Sequence, residues 1–203
     1  MKLSLKHLLI PLIAIFSSAS AHAVSAGGLF VEPMVTYEVG SKTKLDKPVF
    51  PDSTGTTDGF GVGARFGFHV ADIIFLGLDG RYSMPKYKMD SYEADAQAMN
   101  YGLVAGVQTP VLGIRLWGTY ILDGNLDPKE NTTNTFFKDV KYNQANGYRI
   151  GAGLRVAVVS VNLEYQNLGY NSTTLQSPGS VTSDDFKYKS EAWVASVSFP
   201  ISL

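Results

Sequence analysis

Residues 193–203 read Trp-Val-Ala-Ser-Val-Ser-Phe-Pro-Ile-Ser-Leu, WVASVSFPISL. Apolar side chains fall at 193, 195, 197, 199, 201 and 203, up to the final carboxylate, where chain ends usually fray and turn polar. A period of two specifies a β-strand, and such regularity means that its two faces meet different surroundings. The fold needs this strand to its last residue.

Working back from the C-terminus, seven further segments alternate in the same way, at 28–39, 59–70, 73–84, 98–108, 112–122, 147–156 and 159–166. In the second, Phe60, Val62, Ala64, Phe66, Phe68 and Val70 alternate with glycines, Arg65 and His69. Tight links at Ala71-Asp72, Thr109-Pro110-Val111 and Ala157-Val158 alternate with long polar connections near 41–58, 85–97, 123–146 and 167–187. Eight strands with short turns on one side and long loops on the other predict an all-β, eight-stranded antiparallel up-and-down transmembrane barrel. Ten or eleven residues rising about 3.3 Å each and tilted near 45° cover roughly 25 Å, the apolar height of such barrels.

The N-terminus fits export. Lys2 and Lys6 precede the apolar run Leu8 to Phe16, and small residues lead to Ala21-His22-Ala23. This is the pattern of a secretory signal peptide over 1–23, leaving 24–203 as one barrel domain. Lys2 and Lys6 leave with the leader, so 17 basic against 18 acidic residues becomes slightly more acidic, which excludes a basic nucleic-acid-binding surface. Cysteine is absent, so stability must come from packing and backbone pairing.

Alternation alone also fits a soluble carrier of the lipocalin kind, with the apolar face inward. Three features favour an apolar face toward lipid. All five arginines (Arg65, Arg81, Arg115, Arg149, Arg155) fall on the polar face of strands, whereas the lysines after the leader lie in or beside the long connections. Guanidinium groups with acids and glycines suit a cramped polar interior, where a planar fork satisfies several acceptors. Next, each strand places one aromatic residue on its apolar face just inside the long-loop end: Tyr37, Phe60, Tyr82, Tyr101, Tyr120, Tyr148, Tyr165 and Trp193. A ring of amphipathic aromatics at one height is an interfacial girdle. The third is the ending: a closed barrel in lipid must pair its last strand with its first over the whole length, because an edge there orphans backbone groups.

The leader, the eight strands, the turn asymmetry and the alternating last strand resemble the small eight-stranded outer-membrane β-barrel proteins of Gram-negative bacteria, the OmpX and OmpA-barrel type. The resemblance covers essentially the whole chain after the leader and is one of pattern. It implies residence in the outer membrane among lipid and lipopolysaccharide as a monomer. It also implies that the last strand, through Trp193, Val197, Phe199, Ile201 and Leu203, is recognised by the barrel assembly machinery. Members of that group usually end in an aromatic residue, where this chain has Leu203.

The candidate chemistry lies inside. Glu32, Arg65, Asp79, Arg81, Arg115, Arg149, Arg155 and Glu164 face inward on the strand pattern and are expected to pair as a lumen charge network, since unpaired buried charge is costly. Gly61, Gly63, Gly102, Gly106, Gly151 and Gly153, also inward, leave room for water or rearrangement. Lipid-modifying enzymes on this scaffold use histidine, serine and an acid near the outer leaflet, but His69, the one histidine after the leader, faces inward at the opposite end. No catalytic site, cofactor site or metal-ligand spacing is read. Acids in the long connections (Asp90, Glu93, Asp95, Asp184, Asp185) are expected to be solvated charge. Aromatics there (Tyr87, Tyr92, Phe136, Phe137, Tyr142, Phe186) pack on one another or contact a partner outside the cell. Two functions remain open: a plugged barrel presenting four loops in a structural or surface-interaction role, and a narrow porin-like channel for small solutes.

Overall fold

A computed structural model describes residues 28–46, 53–71, 73–89, 92–109, 112–129, 140–175, 181–183 and 187–203. The leader, Asp72, Asp90, Pro110, Val111, Phe136, Phe137, Asp184, Asp185 and Phe186 lie outside the described residues, as does the side chain of Tyr92. The described strands are β1 (Leu29–Asp46), β2 (Ser53–Val70), β3 (Ile74–Met89), β4 (Tyr92–Gln108), β5 (Ile114–Pro128), β6 (Val140–Val156), β7 (Val159–Leu175), β8 (Val181–Ser183), β9 (Lys187–Ser198) and β10 (Ile201–Ser202).

Consecutive strands from β1 to β7 pair antiparallel, and β9 pairs with both β7 and β1, closing the sheet into a barrel of eight staves. Strand β10 continues the eighth stave past Phe199-Pro200, and β8 continues it above β9 by pairing with β7. Pro200, which has no N–H to give, stands at the break in this stave. Beyond it the Leu203 amide donates to the Leu29 carbonyl at 2.9 Å and the Phe199 amide to Pro33 at 3.0 Å. The last residue is therefore bonded to the first strand.

The faces fall as lipid requires. Leu29, Val35, Phe66, Leu78, Leu103, Leu116, Ile150, Leu163 and Val197 are exposed on the outer wall, while Glu32, Arg65, Asp79, Arg149 and Glu164 are fully buried within. In a water-soluble barrel this distribution would be reversed. The reversed-face carrier is excluded by the direction in which these side chains point.

The strands are longer than the alternation of apolar residues indicates. Strands β1 to β7 run for 15 to 18 residues, so much of each long connection is paired strand. The expected polar loop at 85–97 is a correction: β3 and β4 are in register from Lys86↔Asp95 to Met89↔Tyr92. The physical reason is an inversion of polarity at the height of the aromatic ring. Above it Lys42, Lys44, Lys86, Lys88, Glu93, Asp95, Lys187 and Lys189 point outward, while Tyr87, Leu126, Tyr142, Leu168, Tyr170 and Tyr188 point inward. The barrel continues beyond the apolar belt as a water-facing barrel with an apolar core.

Bulges mark this change in three staves. Around Gly40 (φ 63°) the register of β1 slips between Glu38 and Thr43, moving the inward side chains from even to odd positions. Leu122 in β5 has no partner between the Tyr101↔Asp123 and Gly102↔Ile121 pairs, and Gln144 in β6 has φ 57°. An extra residue in one strand lets a stave re-aim its faces without breaking the wall.

Candidate functional site: the barrel lumen

Register brings the central charges together. Glu32, Arg65 and Asp79 stand side by side across β1, β2 and β3 through the Glu32↔Arg65 and Arg65↔Asp79 pairs. Glu164 projects from β7. Arg65 Nε donates to Asp79 Oδ2 at 2.9 Å and Nη2 to Glu164 Oε1 at 2.6 Å, with Nη1 at 3.6 Å from Glu32 Oε1. Arg81 donates from Nε to Asp79 Oδ1 at 3.0 Å, and its Nη1 lies 2.5 Å from Glu164 Oε2. Arg149 gives Nη1 to Asp79 Oδ1 at 2.9 Å, Nη2 to Asn100 Oδ1 and Nε to Gln166 Oε1 at 3.2 Å. Arg115 makes a two-point fork with Glu32, 2.7 Å at each oxygen.

Neutral groups complete the network. The Trp117 indole N–H donates to Glu164 Oε1 at 2.6 Å, and the Ser198 hydroxyl donates to Glu32 Oε1 at 2.6 Å. The Arg65 guanidinium lies 4.5 Å from the Trp117 ring centre, and that of Arg115 lies 5.0 Å from the Phe75 ring. Four arginines thus share three carboxylates in a space almost closed to solvent, through the planar, charge-assisted bonding that guanidinium groups favour. Arg155 lies apart from this network. It donates to the carbonyls of Ala157 at 3.1 Å and Pro200 at 3.4 Å, beside the short-turn end.

Three further layers fill the interior. Toward the short turns, Phe30, Phe75, Val104 and Trp117 form an apolar cluster, with the His69 ring 4.7 Å from Phe30. Above the charges, Glu38 accepts from Thr57 Oγ1 and Gln166 Nε2, each at 2.9 Å, so Gln166 links it to Arg149. Glu38, Thr57, Asn100, Gln166 and Tyr170 help line a cavity of about 20 Å³, room for about one water molecule. Higher still, the Tyr142 and Tyr188 rings stack at 4.6 Å, Tyr170 lies 5.5 Å from Tyr188, and the Tyr87 and Tyr142 hydroxyls are 3.1 Å apart.

The space before the inward glycines is occupied. A side chain at Gly106 would overlap the Phe75 ring, and one at Gly151 would overlap both the Trp117 ring and the Glu164 side chain. These glycines accommodate large neighbours. Asn100, Trp117, Gln166 and Ser198 were not singled out from the sequence as members of the network. An aromatic residue on the polar phase of β5, facing glycines on β6, is the signal that would have found Trp117.

On the outer wall Tyr37, Phe60, Tyr82, Tyr101, Tyr120, Tyr148 and Trp193 are exposed and Tyr165 is half-buried. Pairings such as Tyr37↔Phe60, Tyr120↔Tyr148 and Tyr165↔Trp193 set them at similar heights. Val197 and Leu203 also face outward, while Phe199 and Ile201 are half-buried.

An eight-stave antiparallel barrel with an apolar outer belt and a charged interior defines the class of small outer-membrane β-barrels. No protein-family model and no curated protein matches the sequence, whereas solved structures match the fold. The outer membrane protein OprG from Pseudomonas aeruginosa is 12% identical with a TM-score of 0.53, over 87% of this chain and 97% of OprG. Neisserial surface protein A matches at 12% identity and a TM-score of 0.46, over 86% of this chain and 99% of its own. Ail, the attachment invasion locus protein of Yersinia pestis, matches at 13% and 0.41, with the same coverage of 86% and 99%.

Proposed function

We propose that this protein resides in the outer membrane as a monomeric barrel closed by its own side chains, and that it acts as a structural and surface-presenting element. The observation that carries this reading is the pairing of Arg65, Arg81, Arg115 and Arg149 with Glu32, Asp79 and Glu164 across the lumen, at 0 to 7% exposure. A conducting path through that layer would have to part several ion pairs at once, and a separated charge in so confined a space is expensive. The aromatic layer below and the tyrosine layer above support the same reading. The aromatic ring on the outer wall would seat the barrel at the lipid interface. Trp193, Val197, Phe199, Ile201 and Leu203 would present the last strand to the assembly machinery. We assign no catalytic role to His69, whose ring packs against Phe30 and Phe75.

Conductance of the detergent-refolded protein in a planar bilayer tests this reading. The expected record is silent after insertion is verified by protease protection. Steady discrete openings, altered when Arg65 and Arg115 are neutralised, would replace it with the channel reading. Surface presentation then falls to the barrel extension and the connections above it, where a partner outside the cell would dock.

A further inference from the structure

Glu38 is the inward carboxylate that the arginines leave out. Among the described residues it has no ion pair, and its oxygens accept only from neutral donors, Thr57 Oγ1 and Gln166 Nε2, each at 2.9 Å. The guanidinium groups of the facing strands are committed elsewhere, Arg149 to Asp79, Asn100 and Gln166, and Arg81 to Asp79 and Glu164. The lysines of β1 and β9 point outward. From the other walls Asp58 on β2, Tyr170 on β7 and Tyr188 on β9 act on it, while β4 and β5 offer Asn100 and Leu126, which carry no charge.

Glu38 follows Tyr37 of the aromatic ring, so it stands at the base of the extension, on the wall of the cavity with room for about one water. An anion with so little water and no counter-charge is costly, and the carboxyl answers by keeping its proton. Burial raises it first, its two hydrogen bonds lower it and Asp58 raises it again, to about 7.

The barrel wall beside this cavity is interrupted. Strands β5 and β6 pair at Ile121↔Gly147 and again at Asn125↔Asn143, with no register pair between. The inward residues of this break are the small Gly124 and Ala145, and their register partners on the outer sides, Asn100 and Tyr170, both line the cavity. Strands β1 and β2 also break just above the ring, between Glu38↔Gly59 and Thr43↔Gly55, but side chains suture that break. Thr57 N donates to Ser41 Oγ at 2.9 Å and Ser41 N to Asp58 Oδ1 at 3.1 Å. Among the described residues no bond of this kind crosses from β5 to β6, and Asp123 Oδ1 accepts from its own neighbour Gly124 at 2.7 Å.

We propose that Glu38 is a proton-operated latch at the base of the extension: protonated, it leaves the wall beside it closed, and ionised, it admits water through the break between β5 and β6. In the opened extension Glu38 is solvated and titrates as an ordinary carboxyl, near about 4.3. Between that value and about 7 the closed form holds a proton that the open form has given up. Closure is therefore tightest in acid, weakens as pH rises and levels off above about 7.

The test measures amide exchange of the full-length chain folded in detergent at pH about 5 and about 8, expressed as protection factors so that the intrinsic pH dependence of exchange is removed. Protection at 121–126 and 142–147 should fall about tenfold or more between the two, while protection around Arg65 stays level. Glu38→Gln, which keeps the shape and stays neutral, should hold its acid-side protection at the higher pH. Electrophoretic mobility of unheated and heated samples confirms that each variant is folded. Infrared difference spectra between the two pH values should show a protonated carboxyl disappearing, and no such change in Glu38→Gln. Should Glu38→Gln not fold, Thr57→Val serves instead: it removes a hydrogen bond to the anion, so the fall in protection should move to higher pH. Unchanged protection in the unaltered protein, the same fall in Glu38→Gln, an unmoved fall in Thr57→Val, or a fall shared equally by the belt would each overturn the proposal. A carboxyl already ionised at the lower pH would overturn it too.

Discussion

The belt inside the aromatic ring and the extension above it are built from the same staves with opposite polarity. In the belt, leucine, valine and phenylalanine face out and arginine with acids faces in. In the extension, lysine faces out and tyrosine faces in. The belt sits in a medium without hydrogen-bonding capacity, so its polar groups must find one another inside. Water can satisfy the outside of the extension, so its interior closes by the ordinary burial of apolar and aromatic surface. One closed ladder therefore serves two solvents, and the side chains record which is which.

The sharpest way to break the comparison is to remove an acid from the belt. Asp79 accepts from Arg65, Arg81 and Arg149, so Asp79→Ala should leave buried cations uncompensated and cost about 3–5 kcal/mol. Refolding yield and urea midpoint, read by heat-modifiable mobility, check it. A loss below about 1 kcal/mol would mean that water reaches the network.

Tyr188→Ala addresses the other region. Removing the ring at the centre of the tyrosine cluster should cost about 3 kcal/mol, felt as opening of the extension while the belt stays folded. Hydrogen exchange should rise in the upper halves of β7 and β9 and not around Arg65. Uniform loss of protection would show the two regions to be one cooperative unit.

Alkali should separate them in the same direction. Tyr170 and Tyr188 lie five residues beyond the aromatic ring, and burial first, with nearby acidic groups second, raises their ionisation above the usual tyrosine range. Below pH about 10 these phenols are neutral whether the extension is closed or open, so they add no pH dependence there. Above that, the open form ionises while the closed form resists, so stability falls as pH rises, by up to about 1.4 kcal/mol per group per pH unit. Tyrosinate absorbance should appear with exchange of the extension. The smallest effect belongs to the outer surface, where Lys88→Ala breaks a half-exposed pair to Glu93 and should change the urea midpoint by the equivalent of about 0.5 kcal/mol or less.

The same comparison explains what was legible in the sequence. Within the belt, Phe60 to Val70 alternates against arginine and glycine, and that contrast gave both the strand and the direction of its faces. In the extension the alternation persists, as in Lys187-Tyr188-Lys189-Ser190, but apolar and polar exchange sides. A search for one continuous apolar face loses the strand there and reads a loop. Bulges at Gly40, Leu122 and Gln144 shift the phase as well. In the lumen the inward direction of the charged residues was visible, but their partners were not. Whether Glu164 reaches Arg65 or Arg81 depends on what projects from opposite walls, and Arg155, inward by the same pattern, ends on backbone carbonyls.

The seam between β9 and β1, which the bond between Leu203 and Leu29 extends, also sets an order of events. The sheet can close only when β9 has arrived, because β1 has no partner for its free edge until β9 lies beside it, and β10 then lengthens the seam. Every other ladder joins strands that are neighbours along the chain or nearly so, whereas this seam joins the two ends and bears the largest loss of chain freedom. Until then the chain carries two sticky margins and an oily outer wall in water, the combination that invites intermolecular pairing. Such a protein must be kept apart from its own kind until β9 has reached β1.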